Sequence, residues 1–426
     1  MKKWKILGIV IGIELVALVS CLLLLHFGSA RNGAGTGTKR DDAVAAKEAG
    51  EEPQTAGAYR LTYENLDGTP IAESTEEDND YDLSWEKVDP SEKVLLETAA
   101  ETEETEEEPR PITLLFAGDI LFDDNYSIMA KTKARGGDIR ADFDDASWQV
   151  MQDADFFMLN NEFPYSDRGT PTEGKTFTFR ARPEYANYVK EMGVDLVSLA
   201  NNHAYDHGEI ALLDTLDTLT EAELPYIGAG RNLEEASTPY ILEMGGSKVA
   251  ILAATEIERI ESPDTKGATA KSPGVFRCLD DTLLLQKIKE CKEAGYYTIV
   301  FVHWGTENVT EIDYWQNRQS KEFAQAGADL IIGAHPHILQ GMANVEGVPV
   351  VFSLGNYLFN SSGRNTGLFE VTLEENTATS YRFYPGRQEN CAVRLSTGAE
   401  MQQILEEMRQ MSPGVTIDEN GYVFFQ

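Results

Sequence analysis

The sequence predicts a layered α/β domain with mixed sheets, preceded by a transmembrane helix and a disordered acidic linker, and three observations carry that expectation. From Pro111 onward, short apolar runs alternate with segments of helical period, the pattern of strands and helices stacked in layers. Ahead of them stand an apolar run behind lysines and a long acidic stretch. Histidine is scarce, at six residues, yet it gathers in short polar motifs just after strand-like runs.

The N-terminal element comes first. Lys2, Lys3 and Lys5 precede the apolar residues 6–28, which are interrupted only by Glu14 and the weakly polar Ser20 and His26. At 1.5 Å per residue this run reaches roughly 34 Å, enough to cross a hydrocarbon core of about 30 Å. The leading positive charges keep residues 1–5 cytoplasmic and place the rest outside, so the expectation is a single-pass signal anchor. A rival reading is a lipoprotein, because Leu18-Val19-Ser20-Cys21 resembles a lipidation box; the apolar residues 22–25 beyond it argue for the uncleaved anchor. Either way the chain is tethered on the outer face of a membrane.

Residues 29–110 are rich in Gly, Ala, Thr and Glu, with acidic residues far outnumbering basic ones. Such a segment buries too little apolar surface to offset its ordering entropy, and an extended, self-repelling tether is expected. The whole chain carries a net charge of −35. That excludes a nucleic-acid binder, which needs lysine and arginine to displace counterions from phosphates. Four scattered cysteines form no C-x-x-C pair and no disulfide framework.

Within residues 111–388 the expected strands are 112–117, 156–159, 196–199, 248–253, 298–302, 330–332 and 348–353, with helices at 184–192, 209–222, 282–294 and 314–326. After Asn356 the pattern turns antiparallel, at 367–373 and 380–385. Residues 389–426 read as a packing segment, a helix at 400–411 followed by a hairpin at Asn420-Gly421.

Polar clusters follow five of these strands, where open α/β sheets place their sites. They are Gly118-Asp119, Asn160-Asn161-Glu162, the stretch from Ala200 through Asn201, Asn202, His203 and Asp206 to Gly208, His303-Trp304-Gly305, and Gly333-Ala334-His335-Pro336-His337. A pair of metal ions on a phosphate needs carboxylates and imidazoles converging from several strands, with one carboxylate shared. Asp119, Glu162, Asn202, His303, His335 and His337 supply that set, and the donors suit zinc, manganese or iron, one ion or two.

Other residues carry two readings each. Asp206 with Glu209 has the spacing of an N-cap and capping box at the start of a helix, and His207 beside it is expected to be exposed. Arg180 and Arg182 either bind an anionic substrate or form structural ion pairs. Trp304 and Glu307 are candidate substrate contacts, against a packed aromatic and a solvated carboxylate. Asn356 either reaches the site or satisfies its own turn.

Ala200-Asn201-Asn202-His203 with Asp206 and Gly208, then residues 333–337 followed by Ser353-Leu354-Gly355-Asn356, resemble the CapA family of poly-γ-glutamate capsule biosynthesis proteins. The resemblance spans roughly residues 112–385. It implies a metallophosphoesterase-like sandwich, similar to calcineurin-type domains, held outside a bacterial membrane. It also implies that Asp119 and His337 serve a first ion, Glu162 bridges, and Asn202, His303 and His335 serve a second, with His203 facing substrate as proton donor or charge stabiliser. One departure is Leu121, which stands where phosphoesterases carry a histidine.

Two functions follow from the resemblance. The first is a membrane-anchored extracytoplasmic protein for synthesis, export or anchoring of poly-γ-glutamate or a similar anionic polymer, with a metal-dependent hydrolase-like site cleaving a phosphate ester or a carbonyl linkage. The second is a non-enzymatic subunit that holds polymer or braces a membrane synthase complex. A phosphodiesterase or nucleotidase is a third reading, by fold analogy alone.

Overall fold

Unbroken apolar runs become strands covered on both faces. The structure, a computed structural model, describes residues 109–257 and 265–425. The expected membrane helix, Cys21 and the acidic linker up to residue 108 lie outside the described residues. Among the described residues no helix is long and apolar enough to cross a membrane.

In chain order the elements are β1 (Ile112–Ile120), α1 (Ser127–Ala134), α2 (Asp145–Asp153), β2 (Phe156–Asn161), α3 (Ala186–Glu191), β3 (Leu196–Ser198), α4 (Glu209–Glu221), β4 (Tyr226–Ile227) and β5 (Ala229–Gly230). Then come α5 (Leu233–Ser237), β6 (Tyr240–Met244), β7 (Ser247–Thr255), β8 (Gly274–Val275), α6 (Thr282–Glu293), β9 (Tyr297–His303), α7 (Tyr314–Ala326) and β10 (Leu330–Ala334). The chain continues with β11 (Met342–Val345), β12 (Val348–Val351), β13 (Asn356–Leu358), β14 (Arg364–Glu374), β15 (Thr377–Gln388), β16 (Val393–Leu395), α8 (Gly398–Met411), β17 (Val415–Ile417) and β18 (Val423–Phe425).

An eight-stranded sheet runs in the order β16-β15-β14-β1-β2-β3-β4, with β13 also on β1, and a six-stranded sheet runs β11-β12-β10-β9-β7-β6. Strands β1 to β4 are mutually parallel, as are β7, β9, β10 and β12, while β14 to β16 and the edge strands β6 and β11 are antiparallel. This is the mixed α/β architecture that the alternating runs predict.

The two-residue period of β1 explains the layering. Ile112, Leu114 and Phe116 share one core with Ile251, Ile299, Phe301 and Ile332 of the six-stranded sheet. Leu115 and Ala117, on the opposite face, pack with Val189 and with Leu212 and Leu216 of α4. Beyond the six-stranded sheet, Val300, Val302 and Ile331 meet Leu284 and Ile288 of α6 and Phe323 of α7. Helices therefore cover the outer face of each sheet. Ile404, Leu405 and Met408 of α8, with Val415 and Val423, join the first of these cores.

Two local expectations are corrected. The N-cap of α4 is Gly208 at φ +81°, with no side-chain cap, so Asp206 and Glu209 form no capping box. His207 is buried rather than exposed. A capping box does form at the start of α7, between Asp313 and Gln316.

Candidate metal centre

Parallel strands end on the same edge of a sheet, so residues at their carboxyl ends become neighbours although they are far apart in sequence. In register, Asp119 on β1 lies beside Asn160 on β2 and Asn356 on β13. On the other sheet, His303 of β9 pairs with Ala334 of β10, one residue before His335. Close backbone approach joins the two edges. Asp119 N donates to Gly355 O at 3.0 Å, and a Cβ on Gly118 would fall 1.9 Å from that same oxygen. Only glycine fits at 118.

Two groups of ligand atoms result, Glu162 with His303 and His335, and Asp119 with Glu162 and His337, each with its atoms within 4.8 Å of one another. Glu162 belongs to both. Its Oε1 lies 3.8 Å from His303 Nε2 and 4.0 Å from His337 Nε2. His303 Nε2 is in turn 2.9 Å from Asn202 Oδ1 and 3.0 Å from His335 Nδ1. On the other flank His337 Nδ1 is 3.4 Å from Asp119 Oδ2 and 2.8 Å from Asn356 Oδ1. His335 and His337 hold φ values of +98° and +60°, a backbone region that L residues seldom occupy without compensation from their surroundings.

A cation fits this donor set. Glu162 is fully buried, yet its Oε1 has no hydrogen-bond partner. Burial, and then the charge of Asp119, push its acid well above the ordinary carboxylate range. Burial, and then the neighbouring His335 and His337, push His303 well below the ordinary imidazole range, which leaves the neutral ring that a metal needs. His337 goes the other way: burial opposes its charge, but Asp119, Asn356 and Glu307 together outweigh it and raise the ring. A buried carboxylate oxygen without a donor beside the neutral His303 ring is costly alone and favourable around a positive ion.

His203 sits beside these groups. Its Nδ1 is 2.7 Å from Asp206 Oδ2, its Nε2 is 3.8 Å from Glu162 Oε1, and its ring packs on Phe179 at 4.2 Å between centroids. Asp206 is therefore a buried orienting carboxylate, a correction with a clear cause: it also accepts from Phe179 N at 2.6 Å and pairs with Lys175 Nζ at 2.5 Å. Burial lowers the His203 ring despite that partner.

The chain matches the family model "Bacterial capsule synthesis protein PGA_cap" over residues 113–361. It belongs to that family. It is 31% identical over 222 residues to capsule biosynthesis protein CapA of Bacillus anthracis, covering 51% of this chain and 53% of that one. With PGA biosynthesis protein CapA of Bacillus subtilis it shares 27% over 243 residues, 55% of this chain and 62% of that one. The chain thus spans little more than half the length of these curated relatives. Among solved structures, a hypothetical protein from Thermus thermophilus aligns at 16% identity with a TM-score of 0.40, over 65% of this chain and 100% of that one.

Every residue of the expected ligand set falls inside the span matched to the PGA_cap family. The structure brings Asp119, Glu162, Asn202, His303, His335 and His337 together, with His203 and Asn356 beside them. It does not bring all the expected substrate contacts. Trp304 is wholly buried behind His303, stacked on Phe323 and Phe352 with Nε1 donating to Phe352 O at 2.9 Å, so it packs the core. Arg182 is exposed and pairs with Asp124 and Glu184. Arg180 donates from its backbone to Asp123 and from Nη1 to Arg168 O, bonds that tie loops together. Glu307 is exposed, and its negative charge adds to that felt by Glu162 and His337.

Leu121 lies in the hydrophobic core of the helical side, so this position offers no ligand. Three residues of this PGA_cap chain were not among the expected ligands or substrate contacts, although Asn160 and Asn201 stand in the polar clusters. Asn160 Nδ2 donates to Asp119 Oδ1 at 2.8 Å and lies 3.3 Å from His303 Nδ1. Asn201 Nδ2 donates to Asn160 Oδ1 at 3.0 Å, while its Oδ1 holds His203 N. Lys175 reaches Asn202 O as well as Asp206. The paired asparagines at 160–161 and 201–202 were a readable signal; Lys175, on an irregular segment, was not.

Proposed function

We propose that this PGA_cap protein acts in the synthesis, export or anchoring of poly-γ-glutamate or a similar anionic surface polymer through a metal-dependent, hydrolase-like centre. Residues 6–28 would hold it to a membrane with the folded domain outside. The observation that carries the reading is the sharing of Glu162, a buried carboxylate with an unpartnered oxygen, by two groups of imidazole and carboxylate. The names of the CapA relatives support the polymer.

Glu162, Asn202, His303 and His335 would hold one ion, and Asp119, Glu162 and His337 another, with zinc, manganese or iron suited to the donors. A bound divalent ion supplies Lewis acidity toward an ester or carbonyl oxygen. The chain's own residues do the rest. Asp206 accepts from His203 Nδ1, which fixes the tautomer and stabilises the ring when it is charged, leaving Nε2 to carry a proton toward a leaving group. Asn160 and Asn201 orient the ligand side chains, and Asn356 holds the His337 ring. Phe179 shields one face of His203 from water.

A second reading, a non-enzymatic subunit that holds polymer or braces a synthase complex, is favoured by one observation: buried Leu121 leaves the Asp119 group a ligand short of the phosphoesterase pattern. Metal analysis of the purified protein with a hydrolysis screen on phosphoesters and γ-glutamyl polymer separates the two. Bound metal with turnover supports the hydrolase; bound metal and polymer without turnover supports the scaffold; absence of bound metal sinks both. Mass spectrometry of the mature N-terminus tests the tether, since a lipidated Cys21 as first residue would replace the anchor with a lipoprotein.

A further inference from the structure

A cavity of about 390 Å³ is lined by the two residues that directly follow His337, Ile338 and Leu339. One wall comes from Thr310, Ile338 and Leu339, inside the family-matched span, and the other from Arg364, Asn365, Glu407, Gln410 and Met411, beyond it. Resting on the polymer reading above, we propose that this cavity is a subsite for one γ-linked glutamyl unit, with Arg364 binding its free carboxylate, so that the segment after residue 361 supplies the polymer specificity of the centre.

Four observations carry the assignment. The first is adjacency: Arg364 Nη1 donates to His337 O at 3.2 Å and Asn308 Oδ1 at 2.7 Å, so the arginine of the cavity wall is bonded to the backbone of the His337 ligand. The second is charge. Arg364 contacts only neutral acceptors, with no carboxylate partner among the described residues, in a chain of net charge −35 where most arginines are paired. A half-buried guanidinium in that state is a ready receptor for a carboxylate.

The third is chemical fit. A γ-linked unit presents a free carboxylate, two methylenes, and an amide N–H and carbonyl. Ile338, Leu339 and Met411 offer apolar surface to the methylenes. Asn365 Nδ2 and Gln410 Nε2 each donate one N–H to a glutamate, Glu407 at 2.7 Å and Glu406 at 3.2 Å, and each keeps a second N–H for the carbonyl. Glu407, the acidic lining residue, already accepts from Asn365 Nδ2 at 2.7 Å and Gln403 Nε2 at 3.0 Å, and its remaining lone pairs suit an N–H.

The fourth is preorganisation. A Cβ on Gly341 would lie 1.9 Å from Met411 O, and Met342 N donates to Ser412 Oγ at 2.8 Å. Arg409 Nε then fastens the end of α8 to Ile417 O at 2.7 Å. The two walls are locked together before any ligand arrives, which lowers the ordering cost of binding.

The test titrates the full-length protein, metal loaded, with a synthetic γ-linked glutamate oligomer, an α-linked glutamate oligomer and inorganic phosphate, reading affinity and bound metal together. The γ-linked oligomer is expected to bind best. Arg364→Ala should weaken it about tenfold, the loss of one charge-assisted hydrogen-bonded contact, with Arg364→Lys in between. Because Arg364 also supports His337, Thr310→Glu provides an independent arm: it adds a repelling carboxylate at an exposed lining position, and should weaken the oligomer similarly with bound metal unchanged. Unaltered affinity in both Arg364→Ala and Thr310→Glu would overturn the subsite while leaving the polymer reading intact. Equal binding of phosphate and oligomer, with the same dependence on Arg364, would overturn the glutamyl assignment. No binding of the oligomer to the wild-type protein would overturn both the subsite and the polymer reading.

Discussion

Among the described residues two places hold carboxylates with buried, unpartnered oxygens, and they have different fates. At the strand ends, Glu162 Oε1 lies among His203, His303 and His337. Between α6 and α7, Asp281 Oδ2 and Glu322 Oε2 are likewise without partners. There, however, the neighbour is Arg318, at 2.9 Å from Glu322 Oε1 and 3.8 Å from Asp281 Oδ1. Burial, and then the nearby Glu322 acid, push the Asp281 acid up to about 6, and a proton held there relieves the repulsion between the two acids. The strand-end acid is instead met by several imidazoles, of which burial keeps His203 and His303 neutral, a set of lone pairs that a proton on one oxygen cannot satisfy. Buried acidity alone does not mark a metal site; convergence of neutral nitrogen donors on it does.

The sharpest way to break this contrast is to remove the nitrogen donors. His303→Ala combined with His335→Ala should abolish metal binding at the Glu162 group while the domain still folds, whereas Asp281→Asn should leave metal content at the wild-type level. Elemental analysis beside circular dichroism checks both, and full metal occupancy in the double variant would erase the distinction. Next in size is His203→Ala, which should retain metal yet lower any hydrolytic turnover by about 10²–10⁴-fold, the usual worth of a positioned acid or base. Loss of metal in that variant would recast His203 as a ligand.

Asp206→Asn should have a smaller effect, a fall of about 10–100-fold in turnover, as for other groups that orient a working histidine. Bound metal should again be unchanged. The smallest effect concerns the α6–α7 pair. Because the folded state raises the Asp281 acid from 3.8 to about 6, the unfolded chain loses that proton first as pH rises. The stability contribution is therefore full below about pH 4 and lost through about pH 6. Asp281→Asn should match wild type in thermal unfolding near pH 4 and exceed it by a few degrees at pH 7; a gap that is constant with pH would show that the pair holds no proton.

Much of the strand-end centre was legible because each donor directly follows an apolar run. Glu162, His303 and His335 come within one residue of the ends of β2, β9 and β10, and strand direction does the rest. Of the two readings of Trp304, the packed aromatic holds. It follows His303 at the end of β9, and alternation turns it to the other face of the sheet, into the layer of Phe323 and Phe352. Asp206 misled because its spacing to Glu209 mimics a cap, while the loop before Gly208 turns its carboxylate inward to His203, Lys175 and Phe179. Lys175 and Arg364 carry no local pattern at all.

By itself the sequence determined the alternation of strands and helices, the family, and which side chains stand at the ends of the parallel strands, because apolar period and motif spacing are properties of neighbouring residues. Tertiary structure alone decided that Glu162 belongs to both ligand groups, that Asp206 orients His203, and that the segment after β13 walls a cavity beside His337. Those facts depend on how two sheets and a C-terminal helix pack against one another, and packing joins residues whose separation along the chain leaves no periodic trace.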